Sequence, residues 1–167
     1  MVELNFSRDV GVITTAIIAL SAAAPSVVAQ EYTQTSICQD VGVRSSEPLG
    51  DREGHMISAG AYSCHVDSGP MSGSIMTGSD IWEFDGPKAV LLSDSAIVRK
   101  PGAIVVYRGT EGKLALTMVD GKVTGWTAEG KGHLPLATGS AASAAGKSES
   151  WTAKSTGPGQ FTIDEKW

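Results

Sequence analysis

Glycine and proline divide this chain into short apolar segments, and this division limits the folds open to it more than any other feature. From residue 54 onward the breaks lie at 68–70, 85–87, 100–102, 110–112, 120–121 and 157–159. Each break contains Gly or Pro, which supply the positive or fixed φ that tight turns need. Short apolar segments separated by such turns are typical of an all-β chain.

The segments between the breaks predict the strand count and the way the strands connect. The predicted strands are 54–66, 72–85, 88–99, 103–109, 113–119, 122–129, 147–154 and 160–166. No long amphipathic helix is available to cover a sheet, and the Ala-rich piece 140–147 predicts a loop with one helical turn. Eight strands in sequence-neighbour order favour a single antiparallel, mainly up-and-down β-barrel. A β-sandwich is the alternative.

The clearest local prediction is a β-hairpin around residues 120–121. The dipeptide there is Asp-Gly, which suits a two-residue type I′ turn because both positions need a positive φ. A regular register from that turn places Trp126 opposite Ala115. Trp126 would then point away from the apolar face formed by Leu114 and Leu116.

The first 29 residues predict the compartment. An uncharged, mostly apolar stretch runs from Val10 to Ala24, and Pro25 and a group of small residues follow before Gln30. This layout is typical of a signal peptide covering 1–29, so we expect a secreted or periplasmic protein. The alternative is an uncleaved membrane anchor, because residues 10–29 are about long enough to span a bilayer.

Length and charge limit the rest of the chain to one domain with few classes of partner. Removing residues 1–29 leaves about 138 residues, which suffices for one domain. We expect an N-terminal strap at 30–53 and a β-barrel domain at 54–167. The formal net charge of −5, without a basic run, argues against nucleic acid and anionic membrane surfaces as partners.

The two cysteines predict a disulfide bond. Cys38 and Cys64 are the only cysteines in the sequence, and a lone pair in an oxidising compartment is most simply a disulfide. We expect their Cα atoms to lie roughly 4.4–6.8 Å apart. Closing a loop of about 26 residues would stabilise the fold by roughly 3–4 kcal/mol and tie the strap to the first predicted strand.

Four aromatic residues are candidates for the lining of an internal pocket. They are Tyr62, Trp82, Tyr107 and Trp126. A barrel of about eight strands has room for its own side chains or for one small ligand. The alternative is that these rings are only core packing.

A charged cluster precedes the first predicted strand. It consists of Asp51, Arg52, Glu53 and His55. At the rim of a barrel it would supply an acid, a base and an arginine able to hold a carboxylate. The alternative is a solvated loop whose charges satisfy one another. Glu83 lies between two aromatic residues, and strand alternation predicts that it faces outward.

The sequence predicts no metal site, no cofactor and no catalytic residue. His55 and His65 would lie roughly 33 Å apart along an extended strand, too far to share an ion directly. His133 is distant in sequence from both. Nothing resembles a nucleophile elbow, a P-loop or a zincin helix.

Glycine spacing carries one family resemblance. The run Gly54–Cys64, the run Ser72–Gly78 followed by Trp82-Glu83, and the late residues between 138 and 161 resemble small secreted bacterial proteins of the allene oxide cyclase and dirigent type of barrel. The resemblance implies a β-barrel. It implies no catalytic residue for this chain.

Three functions follow as hypotheses from these features. The first is a secreted or periplasmic barrel that binds a small apolar or aromatic ligand. The second is a cyclase or isomerase type of enzyme on the same barrel, which the family resemblance alone suggests and fold does not establish. The third is a protein-binding module, such as an inhibitor of a secreted enzyme, which acts through residues 135–150. The composition of residues 135–150 is that of a flexible crossing or lid.

Overall fold

The computed structural model describes residues 31–167, and most of them lie in strands. The strands in chain order are β1 (Thr33–Pro48), β2 (His55–Ser68), β3 (Ile75–Asp85), β4 (Lys88–Lys100), β5 (Ala103–Val119), β6 (Lys122–Ala137), β7 (Ser148–Gly157) and β8 (Gln160–Lys166). One 3₁₀ helix, Gly139–Ala144, lies between β6 and β7. In this part of the chain no helix is long and apolar enough to cross a membrane. The predicted signal peptide, 1–29, lies outside the described residues.

The strands form a closed antiparallel barrel in up-and-down order, which confirms the predicted fold class. Each strand pairs with the next one along the chain, and β1 pairs with β8 to close the sheet. The closing ladder runs from the Thr33–Lys166 pair to the Gln39–Gln160 pair. The N-terminal half of β1 is therefore paired on both sides, whereas residues 40–48 of β1 pair only with β2.

The first strand begins earlier than the sequence predicted. Residues 33–48 form a full barrel strand, not a strap, and residues 103–119 form one strand where two were predicted. The structure therefore has eight strands, as predicted, but they are not the eight segments that the sequence predicted. β1 was missed because its buried face includes Gln34 and Ser36, so it lacks the apolar alternation that marks a half-buried strand.

One end of the barrel is closed by packed residues. Met71, in the loop between β2 and β3, is almost fully buried. Ala141 and Ala144 of the 3₁₀ helix are buried against the same core, and Thr138 is held to β5 by a backbone hydrogen bond to Ile104. The central part of the predicted lid, residues 135–150, therefore packs onto the barrel end.

The predicted disulfide is present between two inward-facing residues. Cys38 and Cys64 stand directly opposite each other on β1 and β2 and are bonded. Their Cα atoms are 4.0 Å apart, just below the predicted range. The reason is the register, because directly opposed residues on adjacent antiparallel strands are among the closest pairs in a sheet.

The hairpin between β5 and β6 has the predicted turn but a different register. The two turn residues, 120–121, have φ of 50° and 73°. A register shift beyond Thr117 then places Trp126 opposite Leu116 instead of Ala115. The prediction that Trp126 points away from the leucine face is therefore wrong. One extra residue at the shift reverses the face to which every later side chain points.

Candidate functional site

A cavity of about 210 Å³ lies inside the barrel. All eight strands contribute at least one side chain to its lining. For comparison, an engineered cavity of about 150 Å³ in another protein holds a benzene molecule. The volume is therefore suited to one aromatic ring with a short substituent.

Seven aromatic side chains line this cavity. The structure brings together all four that the sequence singled out, Tyr62, Trp82, Tyr107 and Trp126. It adds Phe84, Trp151 and Phe161, which the sequence analysis did not select. The ring centroids of Tyr62 and Phe161 are 5.8 Å apart, and those of Trp82 and Trp151 are 6.5 Å apart, both edge to face. Such contacts hold the rings in defined orientations.

Glycines on neighbouring strands fix the position of three of these rings. A methyl group added at the glycine would overlap a ring atom at Gly78 (ring of Tyr62), Gly130 (ring of Trp151) and Gly132 (ring of Tyr107). Each ring therefore packs directly against the backbone of the neighbouring strand, at a glycine that has no side chain to block it. Glycine in a strand interior commonly marks such a close approach. Gly130 was therefore the sequence signal that could have pointed to Trp151.

Asp94 places a carboxyl group among these rings. The Tyr62 hydroxyl donates a hydrogen bond of 3.1 Å to it. Burial, followed by the nearby charge of Asp80, raises the pKa of Asp94 to about 7. The Trp151 indole Nε1 donates to the Tyr107 hydroxyl at 2.7 Å, and Tyr107 in turn hydrogen-bonds Asp94.

A β-bulge explains why the sequence did not reveal Asp94. The pairing of β3 with β4 shifts between Ile81 and Trp82, so that Leu92 is the extra residue of β4. Before the bulge, Leu91 lines the core, and after it Asp94 and Ala96 do so. A regular alternation counted from Leu91 would place Asp94 outside.

Glu149 and Glu165 form a second buried acidic group on β7 and β8. Both are buried, and the Gln34 side-chain amide donates to Glu165 at 2.8 Å, with Ser36 Oγ at 3.3 Å. Burial raises the pKa of both carboxyls, and the charge of Glu165 adds to the effect on Glu149. Two carboxyls in contact in a low dielectric hold a proton between them.

Arg44 is the one Lys, Arg or His side chain among the residues that line this cavity. It faces inward because it has the same strand parity as Cys38 and Asp40 on β1. The irregularity between Val41 and Ser45 adds two residues to β1, which leaves the alternation of faces unchanged. Its guanidinium donates to Asp40 at 3.0 Å and to Asp80. Burial raises the pKa of Asp80, and the charge of Arg44 opposes that effect.

Three members of the predicted rim cluster come together at the start of β2, but none lines the cavity. His55 is buried, and its Nδ1 lies 2.5 Å from Asp51 while its Nε2 lies 2.7 Å from Glu83. The hydrogen bond to Glu83, followed by that to Asp51, raises the pKa of His55. Arg52 pairs with Asp51, and Glu53 is exposed. Glu83 faces away from the cavity that its two aromatic neighbours line.

The remaining histidines are apart from the cavity. His65 is exposed on β2 and His133 is half-buried on β6. Among residues 31–167, no group of three or more His, Cys, Asp or Glu side chains is placed to hold a metal ion.

Comparison with known proteins identified no relative of this chain. No family model matches the chain, and neither a curated protein nor a solved structure matches it significantly.

Proposed function

We propose that this protein is a secreted or periplasmic β-barrel that binds a small apolar or aromatic ligand inside the barrel. The observation that carries the proposal is the cavity of about 210 Å³ with seven aromatic side chains around it. Protein interiors are normally packed without voids of this size, and aromatic-lined cavities are the usual form of small-molecule sites. The Cys38–Cys64 disulfide supports an oxidising compartment.

A variant that fills the cavity tests this proposal. Ala153 lines the cavity, whereas Ala115 is exposed on β5 and does not. We expect phenylethanol to bind the wild type and the Ala115→Leu variant with equal affinity, measured by isothermal titration calorimetry and tryptophan fluorescence. Ala153→Leu should weaken binding by about tenfold or more, because its side chain occupies the ligand volume. Failure of phenylethanol and of larger neutral aromatic probes to bind the wild type would refute the proposal.

Proton-transfer catalysis of the isomerase or cyclase kind is the second candidate. The observation in its favour is Asp94, because an acid with a pKa of about 7 can both accept and donate a proton near neutrality. Its contact with Tyr62 holds the carboxyl in a fixed orientation inside an aromatic cavity. The family resemblance to allene oxide cyclase barrels points to the same class of reaction.

Exchange of α-protons on a small ketone tests this second candidate without a known substrate. We expect the wild type to accelerate deuterium exchange into phenylacetone in D₂O, measured by proton NMR, with Asp94 as the base that removes the proton. Asp94→Asn should lose the acceleration, whereas Asp67→Asn, an exposed change on β2, should keep it. Exchange at the buffer rate in the wild type would remove the catalytic candidate and leave the binding proposal intact.

A further inference from the structure

The cavity contains more acidic groups than basic ones. Five carboxyl side chains line it, namely Asp40, Asp80, Asp94, Glu149 and Glu165. Arg44 pairs with the first two. The other three have no cationic partner among the described residues. A ligand with a positive charge would supply what the interior lacks.

A hydrogen-bond donor is also missing beside the glutamate pair. The side-chain carbonyl oxygen of Gln34 is buried and receives no hydrogen bond, although the amide nitrogen of the same side chain donates to Glu165. The Glu149 side chain is only 4% exposed, and its carboxyl contacts that of Glu165. Gln34 does not line the cavity, but Glu149 and Glu165 do, and their carboxyl oxygens are acceptors that a ligand with N–H donors can reach from inside the barrel. A primary ammonium group carries three.

The aromatic rings favour the same charge. Cations are attracted to the faces of Trp, Tyr and Phe rings, and the attraction is greater where water is excluded. Trp82 and Trp151 stand edge to face around the same cavity that Asp94 and Glu149 line. An anionic ligand would be repelled by the faces of the rings and by the carboxyls that have no cationic partner. A neutral ligand would leave the carboxyls as they are.

We propose that the ligand is a small aromatic amine whose ammonium group binds against Asp94 and the Glu149–Glu165 pair. The inference rests on the proposed ligand-binding function and adds the charge of the ligand to it. The cavity of about 210 Å³ limits the rest of the molecule to a single ring and a short chain. Binding of the cation displaces a proton from the acidic group into solvent, because the carboxyls must ionise to pair with it.

Three probes of matched size test the charge. Phenylethylamine, phenylethanol and phenylacetate are titrated into the full-length protein at neutral pH, in phosphate and in HEPES buffers. We expect the amine to bind at least about tenfold more tightly than the alcohol and the acid to bind most weakly. The heat of amine binding should differ between the two buffers by the ionisation heat of about one released proton, and the heat of alcohol binding should not.

Paired variants assign the effect to the buried acids. Glu149→Gln should reduce the affinity for phenylethylamine by about tenfold or more and reduce that for phenylethanol by much less. Glu129→Gln, an exposed change on β6, should affect neither. The comparison of the three probes on the wild type stands without any variant, so poor folding of Glu149→Gln would not prevent the test.

The outcomes separate this inference from the proposed function. Equal affinity for amine and alcohol, or amine binding without proton release, would overturn the aromatic-amine inference while the ligand-binding function stands. Absence of binding by all three probes and by larger neutral aromatics would overturn both.

Discussion

At the scale of single residues, the unusual feature of this barrel is a set of carboxyl groups in its interior. Asp94 is held by Tyr62, and Glu149 and Glu165 contact each other. Buried carboxyls without a cation cost stability when they ionise. Perturbed buried carboxyls cluster at functional sites in proteins, and this is why the proposals above are built on these positions.

The raised pKa of Asp94 predicts that stability falls as pH rises. Between the ordinary pKa of 3.8 and the folded-state pKa of about 7, the folded protein holds a proton that the unfolded chain has lost, so rising pH favours unfolding. Asp94→Asn should remove this contribution, whose upper limit is roughly 4 kcal/mol. Urea unfolding at about pH 5 and about pH 8 measures the larger part of it, roughly 2–3 kcal/mol.

The control for this prediction is the exposed residue Asp67. Asp67→Asn should keep the wild-type difference between the two pH values, because its carboxyl lies in solvent. An unchanged pH dependence in Asp94→Asn would show that Asp94 is not the group responsible.

A glycine beneath a ring gives a second prediction at this scale. A methyl group at Gly132 would overlap the Tyr107 ring and the carbonyl oxygen of Arg108, so Gly132→Ala should destabilise the fold by about 1–3 kcal/mol. Gly157→Ala is the matched control, because its added methyl meets only the Gln160 side chain at 3.4 Å. Thermal unfolding of the two variants decides it, and equal melting temperatures would contradict the proposed role of the glycine.

At the scale of strands, bulges determine which side chains reach the cavity. The bulge in β4 turns Asp94 inward. The register shift in the β5–β6 hairpin brings Trp126 inside. The faces of Asp94 and Trp126 each depend on one extra residue, and the sequence does not show where that residue is inserted. This is why the turn at 120–121 could be predicted and the face of Trp126 could not.

The disulfide belongs to the same scale because it joins two barrel strands. Cys38 lies in a strand that pairs with both β2 and β8, so losing the bond should weaken closure of the whole barrel and not only free residues near the N-terminus. We expect the Cys38→Ala, Cys64→Ala double variant to lose up to roughly 3–4 kcal/mol while keeping strand content by circular dichroism. Reductant should lower the melting temperature of the wild type and leave that of the variant unchanged. Identical wild-type melting with and without reductant would contradict this role.

At the scale of the whole molecule, the sequence was sufficient for the architecture but not for the chemistry of the interior. Gly and Pro at the turns and the lack of an amphipathic helix predicted a closed eight-stranded barrel, which the structure confirms. The same pattern missed β1, because polar residues such as Gln34 and Ser36 occupy its inward face. The four aromatic residues selected from the sequence lie around one cavity. Glu149 and Glu165 could not be selected from the sequence, because isolated acidic residues in strands usually face solvent.

The indole N–H signals of the tryptophans provide the most direct test that the cavity binds a ligand. The chain has four tryptophans; Trp82, Trp126 and Trp151 line the cavity, and Trp167 does not. In a ¹⁵N–¹H NMR titration with phenylethylamine, we expect the three cavity signals to shift together along one saturable binding curve while the Trp167 signal stays in place. Shifts confined to Trp167, or no saturable shift in any of the four signals with this amine or with phenylethanol, would contradict a ligand site inside the barrel.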